Sequence, residues 1–211
     1  MIVDHIFIFS QNQGGDAEEL LDFGLAEGSS RIHQGQGTTN RKFYFENFFL
    51  EILWVHDTSE IQSPVTSVTG LWERSNFKEN NHSPFGLCLD NTGGTEALFQ
   101  NSQKYQPAYF PEGMHVDFIN SKENKDLPWL FRLPMKGPKK PTTEPTNHRL
   151  GLKKLTKAEF QLPQISNWAK NCQSEQIQFK KSGETSLTIE FDRMTRGKEH
   201  FFESLPLSIR Y

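Results

Sequence analysis

Residues 2–9 (IVDHIFIF) carry apolar side chains on both faces of a two-residue period, the pattern of a strand covered on each side. Alternation puts Val3, His5, Phe7 and Phe9 on one face and Ile2, Asp4, Ile6 and Ile8 on the other. The period then lengthens. Asp16, with Glu19 three residues on, reads as a helix N-cap with a capping-box-like pair. Ala17, Leu20, Leu21 and Leu25 form an apolar stripe, ended by Gly24 or Gly28. A turn-rich stretch, 31–40, leads into two strands, 41–46 and 48–56, with a tight turn at Asn47. The order is β, α and then two or three β.

Residues 57–83 are polar and show no clear period. Strands are expected at 84–90, 114–120 and 127–133, the last weakened or placed at an edge by Pro128, with a short helix at 95–103. Four prolines and no apolar periodicity make 134–148 a loop or linker. The opening order then returns: a strand at 152–162, a short helix at 165–172, strands at 176–181 and 186–192 joined by a hairpin turn at 182–184, and a final docked strand in 201–211. This is an internal repeat. The middle segment is either a degenerate third copy or a set of strands inserted into the second. The fold expected is one α+β unit dominated by mixed sheet, with strand 2–9 lined by helix on one side and a cup on the other.

Composition narrows the function classes. Only 35% of the 211 residues are hydrophobic, but 18 are Phe, so the core rests on aromatic burial. Twenty-three basic against 26 acidic residues give a net charge of −3, which argues against nucleic acid or an anionic membrane as partner. No apolar run approaches the roughly 18–20 residues of a spanning helix. Residues 1–10 lack a basic start and a small-residue cleavage site. Cys88 and Cys172 sit in unrelated contexts, as expected of a cytoplasmic protein with reduced, buried thiols.

Three places could carry chemistry. Glu51 lies inside FFLEILWV, on a face with Phe49, Leu53 and Val55, and a carboxylate there needs a partner. The plainer alternative is a strand-end carboxylate in water. His5 is either a hydrogen-bonded core histidine or a functional one. The stretch His33–Asn40 (HQGQGTTN) gathers an imidazole, amides and hydroxyls beside two glycines. It lacks GK[ST] and precedes a strand, so it is no phosphate loop. A pocket rim that hydrogen-bonds a small ligand is favoured over an ordinary Gly-rich turn. Glu190, in SLTIEF, shares a polar face with Ser186, Thr188 and Asp192 and reads first as a solvent-facing strand residue.

In order around one βαβββ unit, V-D-H-I, H-x-G-x-G-T-x-N and F-L-E-I resemble the glyoxalase-like domain of the vicinal oxygen chelate superfamily. The resemblance is good over 2–57, looser over 84–133 and fair over 150–210. It implies paired βαβββ modules forming an incomplete, barrel-like curled mixed sheet with short helices outside and the active cavity inside. The chain would be a single such domain over 1–211: a first module at 1–57, middle strands at 84–133, a linker at 134–148, and a last module at 150–193 followed by a C-terminal strand. In metal-dependent members the first strand of a module gives a histidine or similar ligand and the last a glutamate. Those positions carry over to His5 and Glu51 in the first module and Glu190 in the last. The fourth falls near Lys157 or Ala158, neither a usual ligand, which is a departure from the family. A divalent metal (Zn, Mn, Ni or Fe) and a metal-free cavity are equally open.

Two functions follow from the resemblance. One is a metal-dependent lyase, isomerase or dioxygenase acting on vicinal oxygens, with His5 as ligand, Glu51 as base or ligand, and His33, Thr38 and Asn40 orienting the substrate. The other is a protein that sequesters a hydrophobic or aromatic compound without turning it over, favoured by the many phenylalanines and the missing fourth ligand. The partner expected is a small molecule, with a homodimer left open.

Overall fold

The strand apolar on both faces becomes β1 (Val3–Phe9), buried along nearly its whole length. The computed structural model describes residues 1–119, 125–137 and 142–211. After β1 come α1 (Ala17–Phe23), β2 (Arg31–His33), β3 (Thr38–Tyr44) and β4 (Phe49–Val55). The polar stretch that followed no period holds three short α-helices, α2 (Thr58–Ile61), α3 (Leu71–Ser75) and α4 (Phe77–Asn80), with a 3₁₀ turn at Ser67–Thr69. Next are β5 (Phe85–Asn91), α5 (Glu96–Phe99), β6 (Gln103–Tyr105), β7 (Val116–Ile119) and β8 (Trp129–Lys136). The chain ends with β9 (Leu155–Leu162), α6 (Asn167–Asn171), β10 (Ile177–Lys181), β11 (Ser186–Phe191), β12 (Glu199–Phe201) and β13 (Leu207–Arg210).

Two sheets result. The first is a curled half-barrel of eight strands in the order β2-β3-β4-β1-β5-β8-β7-β6. β1 and β5 pair antiparallel at its centre, each flanked by a parallel neighbour, β4 or β8, and then by antiparallel strands. This is a pair of βαβββ modules related by a pseudo-two-fold axis between β1 and β5, the architecture that the glyoxalase-like resemblance implies. The partner of the first module is therefore the segment 85–136, not 150–193. Residues 155–210 build a separate sheet in the order β10-β9-β11-β13-β12. β9 is buried at Leu155, Ala158, Phe160 and Leu162 and takes a neighbour on each edge. β10 runs parallel to it and β11 antiparallel, so residues 182–184 close no hairpin.

The second sheet, rather than helix alone as expected, covers the convex side of the first, with α1 adding Ala17 and Leu20. Ile6, Ile8, Leu50, Ile52, Phe85 and Leu87 share one core with Phe160, Leu187, Ile189 and Phe191. The concave side has its own core of Phe7, Phe9, Leu53, Phe118 and Trp129, capped by Ile61 and Leu71 from α2 and α3. Asn47, at the tip of the β3–β4 turn, clamps the sheets together. Its side chain donates to the Leu155 carbonyl and accepts the Leu155 N–H, each at 2.9 Å.

Three local expectations change. Val3 packs with Ile6 and Ile8 rather than with Phe7, because a bulge between Val3 and His5 breaks the alternation. Asp16 makes no side-chain cap, and the Glu19 carboxylate instead accepts the N–H groups of Glu203 and Ser204. Part of the expected 134–148 linker is strand, since β8 runs to Lys136. Pro134 is tolerated there because β7 pairs only with Leu130–Arg132. Residues 138–141 lie outside the described residues. From the remainder, His148 reaches back into the first sheet: its Nδ1 accepts the Ala26 N–H and its Nε2 donates to the Tyr44 carbonyl, both at 2.9 Å. No helix among the described residues is long and apolar enough to cross a membrane.

Candidate functional site

The concave face of the eight-stranded sheet encloses a cavity of about 210 Å³. Its walls are chemically unequal. The first module brings His5, His33, Asn40 and Glu51. The second brings Tyr105, Val116, Trp129, Phe131 and Leu133, joined by Tyr109 and Phe110 from the loop between β6 and β7. Four of the residues singled out in the sequence thus meet in one place. Thr38, expected to orient a substrate, is instead fully buried behind this wall and meets it only through hydrogen bonds to His33 and Gln36.

A chain of hydrogen bonds organises the polar wall. The Asn40 side-chain oxygen accepts the Arg31 N–H at 2.8 Å, which fixes the amide. Its NH₂ then donates to Glu51 Oε1 and faces His33 Nε2 at 3.3 Å. With Nε2 as acceptor, His33 carries its proton on Nδ1 and donates to Thr38 Oγ1 at 2.9 Å. Gln36 donates to the same oxygen at 2.8 Å and accepts the Tyr109 hydroxyl at 3.1 Å. Burial holds the His33 pKa below the usual histidine value, against the opposing pull of Glu51. Burial likewise raises the Tyr109 pKa, keeping its hydroxyl a donor.

Tyr109 also closes the open side of the half-barrel. Its ring stacks 5.5 Å from His33 and lies 4.6 Å beneath the Arg31 guanidinium. Gln36 and Tyr109 were not among the candidates. Gln36 was present in the HQGQGTTN signal, whereas Tyr109 sits in an irregular loop with no period to mark it.

His5 stacks on Phe49 at 4.3 Å and meets Phe131 edge-on. Its Nδ1 lies 2.5 Å from Asp4 Oδ1. Glu190 is elsewhere. On β11 of the second sheet it accepts from Thr156 at 2.9 Å and pairs with Lys157 at 3.6 Å. The set His5, Glu51 and Glu190 therefore does not converge, because β11 lies behind the convex face. The second module offers no replacement: Cys88 stands across from His5, and the inward residues of β8 are Trp129, Phe131 and Leu133. The divalent-metal set carried over from the superfamily does not fit these residues. Among the described residues, Asp4, His5 and Cys88 place ligating atoms within 4.8 Å of one another, and they are the group whose geometry could hold a cation.

The neutral state of His33 and His148 has a measurable consequence. Burial lowers both pKa values in the folded protein. As pH falls through about 6.5, the unfolded chain takes up protons that the folded one refuses. Stability should be level above about pH 7 and decline below pH 6.5. Urea midpoints at pH 7.5 and 5.5 check this. His148→Gln, which keeps a donor and an acceptor, should shrink the decline.

No protein-family model matches the sequence, and no curated protein does. Among solved structures, a hypothetical protein from Staphylococcus aureus is similar over 99% of this chain and 98% of its own, with a TM-score of 0.58 and 13% identity. A Streptomyces coelicolor methylmalonyl-CoA epimerase variant is similar over 63% of this chain and 97% of its own, with a TM-score of 0.41 and 15% identity. At 13% identity the full-length likeness is one of fold.

Proposed function

We propose that the protein binds a small, flat, largely apolar molecule in this cavity and that Glu51 accepts a proton-bearing group of that ligand. One observation carries the reading. Glu51 is only 6% exposed in a cavity whose wall is largely aromatic but also includes Arg31 and Lys42, and Asn40 supplies its one hydrogen bond among the described residues. A buried carboxylate has room for several donors and is costly without them. A hydroxyl or amine on a bound ligand would provide the next.

A second reading is proton transfer at Glu51, in an enzyme of the lyase or isomerase kind. The Asn40–His33–Thr38 chain favours it, because it holds the carboxylate in one orientation, as a general base requires. Neither reading routes a step through a metal.

Isothermal titration with simple phenols tests the shared claim. Wild type should bind 4-ethylphenol, and Glu51→Gln should weaken that binding about tenfold, the loss of a charge-assisted hydrogen bond, with little change in melting temperature. Equal affinity in the two proteins would overturn it. Adding Zn²⁺ or Mn²⁺, or treating with EDTA, should leave phenol binding unchanged.

A further inference from the structure

We propose that Arg31 and Lys42 hold an anionic group of the ligand at the cavity mouth, which makes aromatic carboxylates with a proton donor at the opposite end the class this cavity takes. The proposal rests on the cavity-binding reading above. Both side chains line the cavity, Arg31 exposed and Lys42 half-buried, which places them on its open side. Arg41, Arg132 and Arg210 each hold a carboxylate. Among the described residues, by contrast, the charged ends of Arg31 and Lys42 meet only aromatic rings.

The sheet register puts the two cations on one patch. Arg31 stands across from Asn40, and Lys42 across from Glu51. Asn40 and Lys42 are two residues apart on β3 and face the same way. Arg31 and Lys42 are therefore diagonal neighbours, about 7–8 Å apart at the backbone, near enough for two long side chains to converge on one carboxylate. The Arg31 guanidinium sits 4.6 Å over the Tyr109 ring, and a guanidinium on an aromatic face keeps its in-plane N–H groups for a bidentate acceptor. Lys42 Nζ sits over the Tyr44 and Phe49 rings, at 5.7 and 5.9 Å.

Two cations against the one carboxylate of Glu51 make the polar wall positive, in a chain whose net charge is −3. Their field reaches the cavity: beyond burial, Arg31 and Lys42 both oppose the pull of Glu51 on His33. Hydrogen bonds from the Ser29 N–H and hydroxyl, at 3.0 and 2.6 Å, and then Lys42 hold the Glu144 pKa low, so that carboxylate is already engaged with Ser29. Two strand spacings separate β2 from β4, about 10 Å. A single aromatic ring with a carboxylate toward Arg31 and a hydroxyl toward Glu51 spans that gap, and Phe7, Tyr105, Phe110 and Phe131 enclose it. The ring keeps the two carboxylates apart, and the cations beside the outer one offset their repulsion.

Probes matched in shape and differing in charge test the proposal. 4-Hydroxybenzoate and 4-hydroxybenzamide are near-isosteres, one an anion and one neutral, and 4-hydroxybenzylamine is a cation. At low salt, wild type should bind the benzoate about tenfold more tightly than the amide, and the amine more weakly than the amide. The preference should shrink in about 0.5 M NaCl, because the two cations are near solvent. In the double variant Arg31→Gln, Lys42→Met the benzoate-to-amide ratio should fall to within about twofold of one. The ratio cancels any general loosening of the wall. Equal binding of benzoate and amide by wild type, tighter binding of the amine than of the amide, or a ratio that survives in the double variant would overturn the anion site alone. So would wild type that binds 4-ethylphenol but none of the three probes. Wild type that binds neither these probes nor 4-ethylphenol would overturn the cavity reading and this proposal together.

Discussion

Phe45→Ala should destabilise the protein by about 3–5 kcal/mol, the range for removing a fully buried phenylalanine. Phe45 is 1% exposed, and its ring touches three parts of the chain. Phe48 lies 5.0 Å away across the β3–β4 turn, His148 4.3 Å away, and Phe191 of the second sheet 4.5 Å away. The void left by alanine would fall where the two sheets and the returning 142–152 segment meet. In urea the midpoint should drop with little change in slope. Phe45→Leu, which fills most of the volume, should cost less than half as much. A midpoint unmoved by Phe45→Ala would mean that the sheets pack far more loosely than the ring contacts imply.

Gly37→Ala should cost about 2–5 kcal/mol and weaken ligand binding as well. Gly37 has φ +79°, and an added Cβ would meet the Asp57 carbonyl oxygen at 2.3 Å and the Ile61 nitrogen at 2.5 Å. Those are backbone atoms of the α2 turn and cannot swing aside. The left-handed conformation costs an alanine about 1–2 kcal/mol, and the forced displacement a further 1–3. The Glu60 carboxylate accepts the N–H groups of both Gly35 and Gly37, so moving α2 also moves the 33–38 turn and the His33 ring. Gly70→Ala is the control. Gly70 has φ +72° but only Glu73 Oε2, at 3.9 Å, near its Cβ position, so it should show the backbone cost alone and leave binding intact. Thermal melting and phenol titration on the two variants separate the effects.

The parts of this fold that were legible in sequence are those where one period holds over several residues. IVDHIFIF demanded cover on both faces and received it, from a second sheet on one side and the cup on the other. FFLEILWV placed Glu51 on the inward face with Phe49 and Leu53. HQGQGTTN concentrated polar groups that the β2–β3 turn does carry to the cavity. The choice of the second module was less legible. Residues 85–136 pair with 1–57 through the register of β1 on β5, a long-range match that no local pattern records. The βαββ order after residue 150 is locally the better copy, and it drew Glu190 into a ligand set that the fold separates. Tyr109 and Trp129 were invisible as site residues for a related reason. Their roles come from the curl that brings the two ends of the sheet together, and the sequence around each reads only as loop or as core.

The double cover of β1 also sets an order of manufacture. The cup is complete in chain by Lys136, yet Ile6, Ile8, Leu50, Ile52, Phe85 and Leu87 on its outer side share their core not only with Ala17, Leu20 and Phe99 but with Phe160, Leu187, Ile189 and Phe191 of the later sheet. At ribosomal speeds of about 5–20 residues per second, residue 155 follows the end of β8 by roughly 1–4 s and residue 210 by roughly 4–15 s. During that interval the nascent half-barrel presents a greasy back only partly covered by α1 and α5, the kind of surface that recruits chaperones or other chains. The Glu19 carboxylate waits longest, since the amides it accepts belong to Glu203 and Ser204, 184 and 185 residues downstream. Contacts of such span make folding slow. The ligand cavity, encoded almost wholly in the first two thirds of the chain, therefore depends for its rigidity on the last third to be made.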